Sequence, residues 1–293
     1  MFDSKSTTVT INGAPVKIHA FSTGAVAVKT KFLEASRRGL FAQLDIIFNK
    51  AFTKYLPVWV WVIEHPEGIY VVDTGIISDV HKKGYFKILG LFSNWINTKL
   101  FKFKIERQEE IDKQLESFDI SVSDVKALIL THLHVDHILG LKHFQGTEIL
   151  VSKLEWEKPS GAVFKLHPTW FKPTLVDLNQ KFATFENAAF LTNSKDLLLI
   201  HTPGHTHGHA SVLLKTDQAD IIFAGDICYY QQQLPGNKFA GANVSLTKTK
   251  NTYNNILNFA ESRKVVFLPS HDENAAERLE SLHFLTPMDK VLK

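Results

Sequence analysis

One cysteine, Cys228, stands in a chain of 293 residues. That scarcity excludes a disulfide framework, a thiolate zinc ribbon and any cysteine-rich cluster. Long apolar runs are missing too: residues 56–63 and 197–200 fall far short of the ~18 residues a membrane-spanning helix needs. Charge of one sign is also lacking. Lys+Arg number 33 against Asp+Glu 30, a net +3, which by itself implies no nucleic-acid partner. The first residues, Met1-Phe2-Asp3-Ser4-Lys5-Ser6, lack the basic start and apolar run of an export signal, so a soluble cytoplasmic protein without a membrane partner is expected. No low-complexity stretch, solenoid-length repeat or Pro/Gly-rich linker divides the chain, and one domain over 1–293 is expected.

Fourteen histidines and 22 phenylalanines are what the chain has in excess. With no thiolates to call on, a transition metal would be bound through imidazole and carboxylate, the donor set of catalytic sites. The early pattern predicts two hairpins. Strands at 8–11 and 16–21 flank Asn12-Gly13, with Pro15 crowding the second, and strands at 58–64 and 69–73 flank His65-Pro66-Glu67-Gly68. Between the hairpins, Leu40, Leu44, Ile47, Phe48 and Phe52 recur at helical spacing within 32–55, and a second helix is predicted over 106–118. Thereafter short apolar strands run into polar motifs. Residues 127–130 lead to Thr131-His132, and 148–151 precede a helix over 153–157. Residues 197–200 lead to His201-Thr202-Pro203-Gly204-His205, with 210–215 as a partner strand. Residues 221–223 lead to Gly225-Asp226, and 265–268 lead to Ser270-His271. Four strands therefore end in histidine or aspartate, the places where a layered α/β sheet gathers a ligand site.

The densest motif is Thr131-His132-Leu133-His134-Val135-Asp136-His137. Extended geometry puts His132 and His134 on one side, and a turn into a helix at Asp136 brings Asp136 and His137 over the same spot. Taken with Thr202-Pro203-Gly204-His205, Gly225-Asp226, Pro269-Ser270-His271-Asp272 and Val71-Val72-Asp73-Thr74-Gly75, it resembles the metallo-β-lactamase superfamily. The resemblance covers about residues 60–272. It implies an α/β fold, the αβ/βα four-layer sandwich, with Asp73 as a buried structural aspartate. It also implies two divalent metal ions, zinc being the expected pair. His132, His134 and His205 would hold one, Asp136, His137 and His271 the other, and Asp226 would bridge them. A hydroxide shared between such ions is a nucleophile at neutral pH, so hydrolysis of an ester is the implied chemistry.

His207 departs from the family's usual proline, and neither it nor His209 is expected to ligate metal. Cys228 is expected to be buried as a small apolar residue rather than to ligate. The 22 residues after His271 are too few for the helical domain of glyoxalase II enzymes, which the first motif also resembles. Asp226-Ile227-Cys228-Tyr229, with His271-Asp272, is similar to the N-acyl-homoserine lactone lactonases, in which that phenol points at the substrate carbonyl. Extra helical sequence further resembles the AidC-type lactonases. The implied function is opening of the lactone ring of an acyl lactone, with Asp136 and Tyr229 catalytic, Tyr230 being the alternative phenol if the register is off by one. A broad lactonase or a thioesterase is the runner-up. A di-iron oxidoreductase would carry glutamate where His134 stands, and a noncatalytic protein would have lost ligands. The aromatic segments at 32–55 and 80–104 are expected to wall an acyl-chain pocket or to form a homodimer interface.

Overall fold

The computed structural model describes residues 2–34 and 40–286. Strands β1 (Lys5–Ile11) and β2 (Ala14–Val28) form the first hairpin, in which Pro15 pairs with Thr10 near the turn where a missing N–H is tolerated. The left-handed turn is supplied by Asn12 (φ 51°) and Gly13 (φ 78°), the type a tight hairpin needs. The segment expected as one helix over 32–55 is instead two, α1 (Thr30–Leu33) and α2 (Leu40–Phe48), and residues 35–39 of that expectation lie outside the described residues. Phe52 is extended, bridging to Lys29, so its place in the helical spacing is corrected. β3 (Leu56–His65) and β4 (Gly68–Val72) form the second hairpin.

After a pair of 3₁₀ turns, α3 (Leu91–Leu100) and β5 (Phe101–Lys104) fill the second aromatic segment, β5 pairing with β2. The helix expected over 106–118 contracts to α4 (Ile111–Glu116). Ahead of it, the Glu109 carboxylate folds back to accept from the Glu106 N–H and closes a separate 3₁₀ turn. β6 (Val125–Leu130), α5 (Val135–Ile138), β7 (Glu148–Ser152), α6 (Lys153–Glu157) and β8 (Thr174–Val176) follow. Next come β9 (Gln180–Phe182), β10 (Phe185–Phe190), β11 (Leu197–His201), β12 (Ala210–Lys215) and β13 (Asp220–Gly225). The described chain finishes through α7 (Leu246–Ser262), β14 (Val265–Pro269) and α8 (Ala275–Ser281). The sequence pattern predicts neither α7 nor β8 to β10.

One sheet runs β1-β2-β3-β4-β6-β7-β8 with β5 beside β2, the other β14-β13-β12-β11-β10-β9. Alternation sorts β3: Trp59, Trp61 and Ile63 face Leu199, Val212 and Phe223 of the other sheet, while Val60 and Val62 face outward onto Ile111 and Leu115 of α4. On the far side, Tyr253, Ile256 and Phe259 of α7 cover Leu198, Leu213 and Ile222. Helix, sheet, sheet, helix is the expected four-layer αβ/βα order. At one end the sheets are stitched together: Ala210 N–H donates to Thr131 O at 3.0 Å, and Trp59 N–H donates to Ser270 O at 3.0 Å. No helix among the described residues is long and apolar enough to cross a membrane.

Candidate metal centre and its cavity

The stitched end is where the histidines converge. His132 and His134 leave β6, His137 lies in α5, His205 follows β11, Asp226 follows β13 and His271 follows β14. Three facing nitrogens form one cluster: His134 Nδ1 lies 3.0 Å from His132 Nε2 and 2.8 Å from His205 Nε2. Asp136, His137 and His271 form another, with His271 Nε2 3.4 Å from an Asp136 oxygen. Asp226 lies between the clusters. Its Oδ1 is 3.2 Å from His137 Nε2, and its Oδ2 is 3.3 Å from His271 Nε2 and 3.7 Å from His205 Nε2. The structure thus brings all seven sequence-predicted residues together, in the two groups expected.

Three of the rings are aimed by their other nitrogen. His134 Nε2 donates to Ser160 O at 2.8 Å, His271 Nδ1 to Pro57 O at 2.8 Å, and His137 Nδ1 to Asp73 Oδ2 at 2.8 Å. The Ser160 contact depends on Gly161, because a Cβ there would stand 2.6 Å from His134 Nε2. Asp73, buried and in the left-handed region (φ 62°), also accepts from Thr131 N–H at 2.8 Å, tying the end of β4 to the start of the histidine motif.

Electrostatics suit a cation. Burial pushes His132 and His205 well below the usual imidazole value and lowers His134, leaving neutral donors. Burial also disfavours a charged ring at His271, but Asp226 and Asp136 outweigh it and raise its pKa to about 10. Asp226 and Asp73 raise His137 likewise. Burial works against the charge on Asp136, yet the His271 hydrogen bond and the His137 and His271 rings hold it at about 2. His137 Nε2 and Asp226 Oδ1 are buried without a hydrogen-bond partner. Such unpartnered buried polar atoms, with three imidazole nitrogens facing one another, fit bound cations: the donor set suits a dinuclear divalent site.

A cavity of about 280 Å³ opens over this centre. His134, Asp136, His205 and Asp226 line its floor, and Phe32, Ile96, Leu100, Phe101 and Phe103 line its apolar wall. Tyr229 lines it as well, stacked on His271 with ring centroids 5.5 Å apart. Burial, with Asp226 and Asp136 nearby, raises the phenol well above its usual pKa and keeps it protonated. Tyr230 does not line the cavity. Of the aromatic segments, Phe32, Phe101 and Phe103 face the cavity, whereas Phe41, Phe48 and Trp95 are exposed. Cys228 is buried in the cluster beneath α7.

Two supporting residues, Glu155 and Gln233, are not legible in the sequence, and His209 takes a supporting place beside them. Glu155, fully buried in α6, accepts from Leu133 N–H at 3.2 Å and Thr206 Oγ1 at 2.5 Å, joining the loops that carry His134 and His205. His209 Nε2 accepts from Asp226 N–H at 3.1 Å, in keeping with the expectation that it is no ligand. Gln233 accepts from Tyr229 N–H at 2.7 Å and donates to Leu33 O at 2.6 Å, linking the phenol to the cavity wall. Buried Glu on a short helix and His two positions past His207 were the available signals, but their partners lie far away in sequence.

A family model described as "Metallo-beta-lactamase superfamily" matches residues 53–271. An N-acyl homoserine lactonase from Bacillus sp is 28% identical over 65% of this chain and 72% of its own length. The N-acyl homoserine lactonase AiiA of Bacillus thuringiensis subsp. kurstaki is 27% identical with the same coverage, 65% and 72%. Among solved structures, an N-acyl homoserine lactone hydrolase with the product N-hexanoyl-L-homoserine bound at its catalytic metal center superposes with TM-score 0.72 at 19% identity, covering 95% of this chain and 100% of that one. AidC, a dizinc quorum-quenching lactonase, superposes with TM-score 0.58 at 17% identity, covering 92% and 90%. At these identities the superpositions speak for the fold.

Proposed function

The chain belongs to the metallo-β-lactamase superfamily, and from that premise we propose that it is a metal-dependent hydrolase opening the lactone ring of N-acyl-homoserine lactones. One observation carries the reading: the apolar cavity has four residues of the seven-residue centre and a buried, protonated tyrosine at its floor. The polar ring of such a substrate would sit on the floor and its acyl chain against Phe32, Leu100, Phe101 and Phe103. The lactonase relatives support the same substrate class.

His132, His134 and His205 would hold one metal ion, Asp136, His137 and His271 the second, and Asp226 would bridge the pair. When bound, the ions polarise the ester carbonyl and furnish a nucleophile from water at neutral pH. Tyr229 Oη donates a hydrogen bond to the carbonyl oxygen as negative charge develops there. Asp136, a carboxylate lining the cavity floor, is placed to accept the proton released by the attacking water and to pass it to the leaving alkoxide. The phenylalanine wall excludes bulk water from the acyl side.

Zinc is the metal this nitrogen and oxygen donor set suits, read by elemental analysis. A homodimer and a cytoplasmic location complete the proposal, read by sedimentation velocity and cell fractionation. The deciding experiment is a hydrolysis panel of acyl-homoserine lactones of varied chain length, with simple γ-lactones and a thioester as controls. Turnover that rises with acyl length and disappears on chelation supports the reading. Faster cleavage of the thioester than of any acyl lactone overturns it.

A further inference from the structure

The cavity wall also has an outer side. While Ile96 and Leu100 of α3 face the cavity, Leu91 at the start of the same helix is 93% exposed and Ile88, in the preceding 3₁₀ turn, is 59% exposed. Trp95 follows Leu91 by one helical turn and is 42% exposed. On α2, Ala42 and Ile46 are buried, whereas Phe41 and Phe48, seven residues apart, are 60% and 75% exposed. Ile46 and Leu100 share one buried cluster, which ties α2 to the wall. Large apolar side chains exposed together on one helix and the turn before it mark an interaction face.

Along α3 and the turns before it the charge is positive, with Asp79 at the edge of the stretch pairing with Lys82 at 2.7 Å. Residues 80–104 contain six lysines and neither aspartate nor glutamate, in a chain whose net charge is only +3. Lys82, Lys83, Lys87, Lys99 and Lys102 are exposed. Lys99 Nζ lies 4.6 Å from the centre of the Trp95 ring, and Lys29 and Lys102 lie 3.7 Å and 4.2 Å from that of Phe52. Two copies joined by this face would set lysine against lysine. An uncharged apolar partner would leave the ammonium groups without counter-charge. An anionic bilayer meets both demands, because apolar tips enter the headgroup boundary while lysines reach lipid phosphates on their flexible stems.

We propose that the face formed by α3 and the turn before it docks on an anionic lipid surface, with Ile88, Leu91 and Trp95 entering the headgroup boundary and the surrounding lysines over the phosphates. Docked this way, the wall of the cavity lies against the phase into which acyl chains partition. The inference stands on surface chemistry and is read without turnover, so it can fail separately from the hydrolase proposal.

The test is cosedimentation of the full, metal-loaded chain with phosphatidylcholine vesicles and with vesicles containing about one third phosphatidylglycerol. The wild type is expected to bind the anionic vesicles selectively and to be released by added salt. Each lysine near such a surface contributes about a fivefold partition factor, so K87E/K99E should bind at least about 25-fold more weakly. I88S/L91S should weaken binding about tenfold or more through lost insertion. Both variants should hydrolyse a short, water-soluble lactone at the wild-type rate. Equal binding to both vesicle types, or binding that neither variant reduces, overturns the proposal. So does sedimentation velocity showing a wild-type dimer that both variants dissociate, because a second copy would then cover the face.

Discussion

Glu155→Ala is expected to unhinge the metal centre without touching a ligand. The buried carboxylate accepts from Leu133 N–H, Thr206 Oγ1 and Gly208 N–H. The contact is close enough that a Cβ on Gly208 would fall 2.0 Å from Glu155 N. Hydrogen bonds to a charged acceptor contribute about 1.5–3 kcal/mol each, and desolvation of the carboxylate offsets part of that. Truncation leaves three buried donors without partners, for a net loss of about 3–5 kcal/mol. In a chain of this size that lowers Tm by roughly 6–10 °C. Because Leu133 and Thr206 adjoin His132, His134 and His205, metal affinity should fall about 10–100-fold as well.

Glu155→Gln keeps the volume and one acceptor and should recover part of both losses. Its comparison with wild type also has a defined pH sign. Burial raises the Glu155 pKa above its usual value, so ionising it opposes folding. The wild type should therefore gain stability relative to the glutamine variant as pH falls through the raised pKa toward the unfolded value. Scanning calorimetry and elemental analysis of metal-loaded protein read all of this. A Glu155→Ala protein with unchanged Tm and full metal content would refute the reasoning.

Three further outcomes are expected. Tyr229→Phe should lower kcat about 10²-fold while metal content and Tm stay at wild-type values, the loss of one donor to the oxyanion; unchanged kinetics would remove the phenol from the reaction. Phe103→Ala should raise KM for a long-chain acyl lactone about tenfold and leave a short-chain one nearly unaffected, since only the former reaches that wall; equal effects on both would place the acyl chain elsewhere. Glu67 accepts from the N–H groups of Asn193 and Ser194 and the Ser194 hydroxyl, which depress its pKa to about 2. Its contribution is present above pH ~4.5 and fades as pH falls toward 2, so Glu67→Gln should lower Tm at neutral pH and progressively less in acid.

What could be read from the sequence follows the range of the interactions. His132, His134, Asp136 and His137 crowd six positions, and His205, Asp226 and His271 each follow an apolar strand; the resemblance to the superfamily is what joined them into one centre. β3 and β6 were legible as strands from the same local pattern. Tyr229 and Tyr230 were not separable, because the loop after β13 turns irregularly and alternation gives no register there. α7 went unread because its buried stripe includes Thr249 and Thr252, polar residues that blur the helical period. Glu155 and Gln233 act through contacts across 51 and 200 positions, which no local pattern encodes.

The wall built by α1, α3 and β5 supplies none of the seven centre residues and is attached to the sandwich by the four-residue pairing of β5 with the end of β2. Gln233 is a strut between the two parts, holding the Leu33 carbonyl on one side and the Tyr229 backbone on the other. That modularity makes the wall a cassette. Grafting a wall of different depth or width, with the Leu33 carbonyl kept in place, should retune which acyl groups are accepted while the chemistry beneath carries on unaltered.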